Sequence, residues 1–238
     1  MSDLTLLTYN IDGLNPVNLL YRTRTLLGLI ISENPDVVQL QEVVAETADL
    51  ITTTLNLNGY STFVDPSHQM PMCHYFTLTF AKENKFQACS LERIKYTGNA
   101  SSVQGRDSLQ LRFEYEGLKW LFINCHLESC GVAFKSSGSA IRMSQLTAGL
   151  IEISHHENEG PAILAGDLNI RDQEAHRIME TFGGAISDTS AAVEKKKSNT
   201  WFMPGPSKYS ARYDRVYSNN ACGLTPKSFK LIGGEDIY

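Results

Sequence analysis

The pattern of hydrophobic positions divides the chain into two parts. The first part predicts alternating strands and helices, and the second predicts mainly successive strands. In the first quarter, short apolar runs alternate with stretches whose apolar residues recur at helical spacing. We predict a strand over 4–9, a helix over 19–32, a strand over 37–41 and a helix over 46–57. Pro35 ends the first helix, because a proline disfavours helical geometry in the residue before it.

The rest of the chain is richer in strand patterns. Leu109, Leu111 and Phe113 alternate with polar neighbours, which is typical of a half-buried antiparallel strand. We predict strands over 75–80, 86–96, 109–113, 120–125, 162–165, 213–218 and 227–232, and helices over 141–154 and 173–180. These elements indicate an α/β fold in which two mixed sheets pack face to face with helices outside both.

Polar clusters stand where the apolar runs stop. They are Asn10 with Asp12, Glu42 alone, His126 with Glu128 and Ser129, Asp167 with Asn169, and Asp214 between Tyr213 and Arg215. Active sites in layered folds gather at strand ends, so the repetition indicates a site. Structural alternatives remain open: Glu42 can be an acid at a helix start, His126 a core histidine, and Asp214 the partner of a neighbouring arginine.

The segment 165–171 carries the clearest chemical signal. The run before it, 162–165, is short and apolar, as a buried strand is. Asp167 offers a carboxylate that can accept a proton, and Asn169 offers a neutral amide that can approach a phosphate without repelling it. Arg171 adds a fixed positive charge. The alternative is an Asx turn that only closes the strand.

Composition and charge narrow the class of protein. The chain has 238 residues, of which 42% are hydrophobic and 20% charged, which is enough for one sizeable core. Its apolar runs are strand-sized, so we expect no transmembrane helix. Five scattered cysteines without a CxxC pair favour reduced thiols in an intracellular protein over a disulfide framework or a zinc site. A net charge of -5 argues against non-specific binding along duplex DNA.

Four stretches, taken in order, resemble the motifs of a known superfamily. They are TYNIDGL over 8–14, LQEV over 40–43, CHLES over 125–129 and GDLNIRDQE over 166–174. They are similar to the endonuclease/exonuclease/phosphatase superfamily and, within it, to the 5′-tyrosyl-DNA phosphodiesterase branch. The short forms QE and GDxN are shared across the superfamily, whereas HLES and the RDQE extension are more specific. The resemblance runs over 4–232 and implies a four-layer α/β sandwich.

The resemblance implies a role for each polar cluster. Glu42 resembles a ligand of Mg²⁺, for which Mn²⁺ can substitute, and Asp12 is a second, less direct metal residue. Asp167 resembles the base that takes a proton from the attacking water. The other implied catalytic residues are Asn10 and Asn169, which orient the water and the phosphate, His126, which with Ser129 donates to phosphate oxygens, and Asp214, which orients a catalytic histidine.

The resemblance also implies contacts to the 5′ end of single-stranded DNA that carries a tyrosyl or peptide adduct. The implied contacts are Asn10, Ile11, Asp12, Gly13, Leu14, His126, Leu127, Glu128, Ser129, Asn169, Ile170 and Arg171. Tyr75, Trp201 and Tyr213 resemble an aromatic wall, since stacking on bases is largely indifferent to sequence. Core packing is the alternative for each aromatic residue.

The implied reaction is Mg²⁺-dependent hydrolysis of the bond between a protein tyrosine and a DNA 5′ phosphate, with water as the nucleophile. It would repair topoisomerase 2 adducts. The leaving group is a phenol, whose unperturbed pKa of about 10 makes it a better leaving group than a sugar alkoxide. Two alternatives stay open: another hydrolase of the superfamily, such as an abasic-site endonuclease, and a catalytically impaired DNA-end-binding module.

The chain departs from the family pattern near its C-terminus. We expect a single catalytic domain over 1–238 without the final Ser-Asp-His strand of the family, which leaves Asp214 without its histidine. Losing such a donor would remove on the order of a few kcal/mol of transition-state stabilisation. Cys130 and Gly131 stand where the family often has Thr-Arg. The resemblance further implies a monomer, no membrane association, and a nuclear location with the cytoplasm as a second location.

Overall fold

The computed structural model describes residues 3–62, 74–129, 137–193, 198–203, 205 and 208–233. The helices are α1 Leu19–Glu33, α2 Ala45–Leu57, α3 Ser137–His155, α4 Asp172–Thr181 and α5 Thr189–Val193. The strands are β1 Leu6–Asn10, β2 Val37–Val43, β3 Tyr60–Ser61, β4 Phe76–Lys82, β5 Gln87–Lys95, β6 Asp107–Tyr115, β7 Leu118–His126, β8 Ala162–Asp167, β9 Ile186–Asp188, β10 Trp201–Phe202, β11 Ser210–Ala211 and β12 Asp214–Asn219.

The strands form two large mixed sheets and a small ribbon. The first sheet has the order β1-β2-β4-β3, and the second has the order β5-β6-β7-β8-β12-β9. The pairs β1–β2 and β7–β8 are parallel, and their neighbours pair antiparallel. β10 and β11 form a separate two-stranded ribbon. The two parallel pairs matter most for function, since their carboxyl ends carry the predicted polar clusters.

Three groups of buried apolar side chains define four layers. One group joins α1 and α2 to the first sheet, and a second joins α3 and α4 to the second sheet. A third group lies between the sheets and includes Val37, Leu111 and Phe122. The predicted architecture, two mixed sheets face to face with helices outside, is confirmed.

Strand β7 shows how alternation builds these layers and then the site. Leu121, Ile123 and Cys125 point to the helices over the second sheet, whereas Trp120 and Phe122 point between the sheets. Asn124 and His126 continue the inner row, because side chains two positions apart share a face. The space between the sheets therefore changes from apolar to polar toward the end of β7.

Most predicted elements are present with shifted ends, and one strand prediction is wrong. Residues 227–232 form no strand. Instead Ile232 packs against the core of the first sheet, Lys227 pairs with Asp3, and Lys230 bonds Glu33 at 2.5 Å, so side-chain contacts and not a backbone ladder hold this segment. The short elements β3, β9, β10, β11 and α5 were not predicted, since two to five residues carry no readable periodicity. No helix within the described ranges is long and apolar enough to cross a membrane.

Candidate active site

The predicted polar clusters meet at one edge of the two sheets. His126 at the end of β7 lies beside Asp167 at the end of β8, and Asp167 lies opposite Asp214 at the start of β12. Asn10 and Glu42 arrive from β1 and β2 of the facing sheet. Five strands therefore bring their polar ends to one place.

The centre of the site is the imidazole of His126, which is 3% exposed. Its Nε2 atom lies 3.6 Å from Glu42 Oε1 and 3.6 Å from Asp167 Oδ2. Asn10 Nδ2 donates to Asp167 Oδ2 at 2.9 Å. Two carboxylates, an amide and an imidazole from both sheets thus converge. This convergence excludes the alternative that the polar residues are unrelated features at the ends of their own strands.

A bulge in β2 directs Glu42 toward the site. The pairing of β2 with β4 changes register between Leu40 and Val43, and Glu42 has φ 55. Leu40 and Val43 both pack in the core under the helices, so the bulge separates Glu42 from that apolar face. Gly13 lies against this bulge, and a Cβ atom there would stand 2.0 Å from Glu42 O. Only glycine allows the β1–α1 loop to come so close.

The turn after β8 orients Asp167. The backbone N–H of Asn169 donates to Asp167 Oδ1 at 3.0 Å, and Asn169 Nδ2 donates to Leu127 O at 3.1 Å. The segment is therefore an Asx turn, as the structural alternative proposed, and it also lies in the candidate site. Gly166 allows β8 to approach β7, since a Cβ atom at this position would lie 1.9 Å from Cys125 O.

Arg106, at the start of β6, is a site residue that the sequence reasoning missed. Its Nη1 atom hydrogen-bonds His126 Nδ1, and its guanidinium lies 4.7 Å from the ring centroid of Tyr75. A guanidinium only donates, so Nδ1 must accept, and the neutral ring carries its proton on Nε2, which faces the two carboxylates. The available signal was an arginine after Gly105 and directly before a strand.

Burial sets the electrostatics of the centre. Burial raises the pKa of Asp167, against hydrogen bonds from Asn10 and Asn169 and the charge of Arg106. Burial also raises the pKa of Glu42, and the charge of Asp167 adds to that rise. Burial, followed by the charge of Arg106, lowers the pKa of His126 well below its ordinary value. The imidazole is therefore neutral at physiological pH, and the positive charge of Arg106 partly offsets the cost of burying the two carboxylates.

Hydrogen bonds from the segment 98–106 hold Glu128 and Ser129 of the CHLES motif in place. Glu128 accepts hydrogen bonds from Ser102 Oγ at 2.6 Å and from Gln104 N at 3.1 Å. Gln104 Oε1 accepts from Ser129 N at 2.8 Å, and its Nε2 donates to Ser129 Oγ at 2.9 Å. These bonds hold the same segment that carries Arg106.

The structure limits how the predicted DNA contacts can be made. The side chains of Ile11, Leu127 and Ile170 are apolar and buried, and the buried carboxylate of Glu128 is engaged by Ser102 and Gln104, so these four residues offer DNA only backbone atoms. Leu14 is 53% exposed, and Asp12 and Arg171 are also exposed. The backbone N–H of Arg171 donates to Glu174 Oε2 at 2.9 Å, and Arg142 Nε donates to the same oxygen at 3.0 Å. The RDQE extension therefore fixes the start of α4, where Arg171 sits.

The predicted aromatic wall lies in two places. Trp201 is 36% exposed, and its ring centroid lies 5.7 Å from that of Tyr213, which directly precedes Asp214. Tyr75 instead lies near His126, at 6.2 Å between ring centroids, and under the guanidinium of Arg106. Trp201 and Tyr213 therefore form one surface on the β12 side, and Tyr75 belongs to the centre of the site.

The chain matches the Endonuclease/Exonuclease/phosphatase family over residues 7–228. The chain belongs to this family. Tyrosyl-DNA phosphodiesterase 2 (TDP2) of Mus musculus is 28% identical over 256 residues, and that of Homo sapiens is 28% identical over 247 residues. The matches cover 99% and 98% of this chain but only 62% and 63% of those proteins. The chain thus spans less than two thirds of their length.

A solved structure of a relative agrees with the fold. The crystal structure of D. rerio TDP2 with a single-stranded DNA product has a TM-score of 0.83 and 26% sequence identity. The match covers 100% of this chain and 93% of that one. The resemblance seen in the four motifs is confirmed, and the four-layer α/β sandwich is the fold of this family.

Proteins of this family generally depend on a metal ion, and the donor set here fits one. Within the described ranges, no group of three or more His, Cys, Asp or Glu side chains is placed to hold a metal on its own. The site offers the carboxylates of Glu42 and Asp167, whose side chains are 16% and 13% exposed, and the nearby charge of Asp12 contributes to the raised pKa of Glu42. One or two carboxylates completed by water suit Mg²⁺ and do not suit a structural zinc site.

Arg22 on α1 anchors the family's first motif. Its guanidinium donates to four backbone oxygens of the β1–α1 loop: Ile11 O at 3.0 Å, Asp12 O at 3.1 Å, Asn15 O at 2.7 Å and Val17 O at 3.0 Å. Asp12 has φ 52, in the left-handed region that few residues other than glycine, asparagine and aspartate adopt. The position of Asp12 therefore depends on Arg22.

We expect Arg22→Gln to lower the free energy of unfolding by about 1–3 kcal/mol, since it removes several bonds to a charged donor. Activity should fall further than stability explains, because the loop with Asp12 loses its anchor. Urea unfolding and single-turnover kinetics measure the two effects. Arg24→Gln is the matched control, since Arg24 is exposed on the same helix. Equal behaviour of the two variants would contradict the anchoring role.

Asp214 lies opposite Asp167, and the main influences on its pKa from the described part of the chain include no cation. Burial raises the pKa of Asp214 to about 7, and the charge of Asp167 adds to the effect. A folded-state pKa above the unfolded value means that the folded protein binds the extra proton. The ionised carboxylate therefore destabilises the fold progressively as pH rises from about 4 to about 7, and fully above that.

Asp214→Asn should accordingly stabilise the metal-free protein at pH 8, by about 1–4 kcal/mol, and change its stability little at pH 4. Asp188→Asn should have the opposite sign. Burial alone would raise the pKa of Asp188, but the hydrogen bond and charge of Arg212 outweigh it and lower that pKa. Chemical denaturation of both variants at the two pH values measures this. A stability change for Asp214→Asn that does not vary with pH would refute it.

Proposed function

We propose that this chain is a metal-dependent phosphodiesterase that hydrolyses the bond between a protein tyrosine and a DNA 5′ phosphate. The observation that carries the proposal is the convergence of Glu42 and Asp167 on His126 Nε2, each at 3.6 Å. Similarity to TDP2 over nearly the whole chain supports the choice of substrate.

The chain's own residues account for the chemistry. Asp167 accepts the proton of the attacking water, and the hydrogen bonds from Asn10 Nδ2 and Asn169 N hold its carboxylate in place. His126 presents the Nε2 proton as a donor for a phosphoryl oxygen. Arg106 adds positive charge next to this donor, where negative charge grows in the transition state. The phenol leaving group needs little help from a strong general acid.

Glu42, assisted by Asp12, would hold Mg²⁺, with Mn²⁺ as a substitute. When bound, the ion supplies neutralisation of the charge that develops on the phosphoryl oxygens. The bulge at Glu42 supports this role, because it directs a buried carboxylate into the site at the cost of an uncommon backbone conformation.

The proposed DNA partner is a single-stranded 5′ end with a tyrosyl or peptide adduct, such as a topoisomerase 2 adduct. Exposed Trp201 and half-buried Tyr213 supply a stacking surface next to Asp214, and Arg171 supplies a positive charge on the β8 side. The net charge of -5 fits a local end-binding site better than a surface that follows a duplex.

The deciding experiment offers a 5′-phosphotyrosyl oligonucleotide and an abasic duplex to the purified chain with Mg²⁺, with Mn²⁺ and with a chelator. We expect tyrosine release that requires the metal, with no cleavage of the abasic duplex. Abasic cleavage without tyrosine release would favour another hydrolase of the family. Binding of the oligonucleotide without turnover, retained in Glu42→Gln and without metal, would favour a DNA-end-binding module.

We also propose that residues 1–238 act as a single catalytic domain and as a monomer, in the nucleus and secondarily in the cytoplasm. Light scattering after gel filtration measures the oligomeric state, and imaging of a fluorescent fusion measures the location in the cell. A dimeric mass or exclusion from the nucleus would contradict the respective statement.

A further inference from the structure

The two halves of the candidate site belong to different sheets, and a pair of buried amides connects those sheets directly beneath it. Gln41 precedes Glu42 on β2, and Asn124 lies two positions before His126 on β7. Both amide side chains are 0% exposed. Gln41 Nε2 donates to Asn124 Oδ1 at 2.8 Å.

Each amide is also tied to the backbone or side chains of the first sheet. Asn124 Nδ2 donates to Leu78 O at 2.9 Å and, at longer distance, to Leu40 O and Thr79 Oγ1. Gln41 Nε2 also donates to Thr8 Oγ1 at 3.0 Å. The Asn124 side chain thus reaches from β7 across to β2 and β4. Asn124 lies two residues before His126, on the same face of β7.

This arrangement is poorly explained by stability alone. Gln41 Oε1 and both side-chain polar atoms of Gln39 have no hydrogen-bond partner within the described residues. A buried amide that is only partly satisfied costs free energy, and an apolar pair of similar volume would pack between sheets at lower cost. The apolar group between the sheets shows that this layer accepts such residues.

We propose that the Gln41–Asn124 pair is a positioning clasp that sets the separation between Glu42 and His126. Glu42 and His126 come from sheets that meet mostly through non-directional apolar contacts. Other side-chain hydrogen bonds between the sheets, such as Asn10 to Asp167 and Arg93 to Thr77 O, do not join the strands of Glu42 and His126 to each other. A directional amide bond fixes their relative height and lateral offset, and small displacements of reacting groups are costly. As a statement about catalysis, the inference rests on the proposed phosphodiesterase function.

The test uses Gln41→Met, Asn124→Leu and the double variant Q41M/N124L. Each single substitution leaves one buried amide without its partner. Both single variants should therefore have a lower melting temperature than the unchanged chain. The double variant removes both amides, so its melting temperature should recover. If the clasp positions the site, kcat for tyrosine release should nevertheless stay down by about 10²-fold in the double variant, with KM little changed.

Asn219 provides the matched control. It is also 0% exposed, and its Nδ2 donates to two backbone oxygens, Ile153 O at 3.0 Å and Gly160 O at 3.1 Å. It lies at the end of β12 opposite to Asp214. Asn219→Leu should lower the melting temperature and leave kcat unchanged below that temperature. A double clasp variant with the kcat of the unchanged chain would overturn the proposal.

Two further measurements do not depend on activity, and the first of them needs no variant. The side-chain amide protons of Gln41 and Asn124 in the unchanged chain should exchange with solvent far more slowly than those of exposed Asn58. A crystal structure of Q41M/N124L should show Glu42 Oε1 and His126 Nε2 farther apart than 3.6 Å. Rapid amide exchange or an unchanged separation would refute the clasp. Failure of the unchanged chain to release tyrosine would instead refute the proposed function.

Discussion

Asp167→Asn should slow tyrosine release by about 10²- to 10⁴-fold, the range typical for loss of a positioned general base. The amide has the shape of the carboxylate but cannot take the proton of water. KM should change little, because the exposed groups proposed to contact DNA are untouched. Single-turnover release of tyrosine from a 5′-phosphotyrosyl oligonucleotide measures the effect.

The same variant should fold at least as well as the unchanged chain. Burial raises the pKa of Asp167, so its ionised form is unfavourable in the folded state, and a neutral amide removes that cost. A loss of activity without a loss of melting temperature would therefore separate chemistry from folding. Asp49→Asn, on the exposed side of α2, is the control for a changed carboxylate elsewhere. Activity of Asp167→Asn at the rate of that control would place the base on another residue.

The parts of this site that the sequence predicted share one property. Asn10, Glu42, His126 and Asp167 each end a strand whose apolar run can be read locally. Parallel strands place their carboxyl ends at the same edge of a sheet. Predicting where the strands end therefore nearly suffices to predict where these side chains lie. The alternation along β7 likewise predicts which side of the second sheet faces the helices and which side faces the first sheet.

The missed parts depend on contacts between distant segments. Arg106 and Gln104 lie in an irregular stretch, and their roles come from reaching His126 and Ser129 on another strand. The motif resemblance implies Glu128 as a DNA contact, but the segment 98–106 covers it and hydrogen-bonds its oxygens. The segment 227–232 has the composition of a strand, but strand formation requires a ladder with a neighbour, and composition does not report one.

Arg106→Ala should reduce tyrosine release by about 10²- to 10³-fold, as the loss of a charged donor in a water-poor site does. Arg106 is 8% exposed, and its guanidinium contacts both His126 and the ring of Tyr75. Arg106→Lys should recover only part of the loss, because an ammonium keeps the charge but not the planar contact with the ring. Arg112→Ala is the control, since Arg112 forms a half-exposed ion pair with Glu152 on the outside of the protein.

Arg106 acts on the site in two ways, through its charge and through the tautomer of His126, and Arg106→Gln separates them. The glutamine amide has no charge, but it can still donate to His126 Nδ1 and keep the ring proton on Nε2. Electrostatic stabilisation is usually the larger contribution, so Arg106→Gln should be nearly as slow as Arg106→Ala. The ¹⁵N resonances of the His126 ring should meanwhile keep the pattern of an Nε2–H tautomer. If Arg106→Gln instead works at the rate of the unchanged chain, fixing the tautomer is the whole contribution of Arg106, and its charge is dispensable.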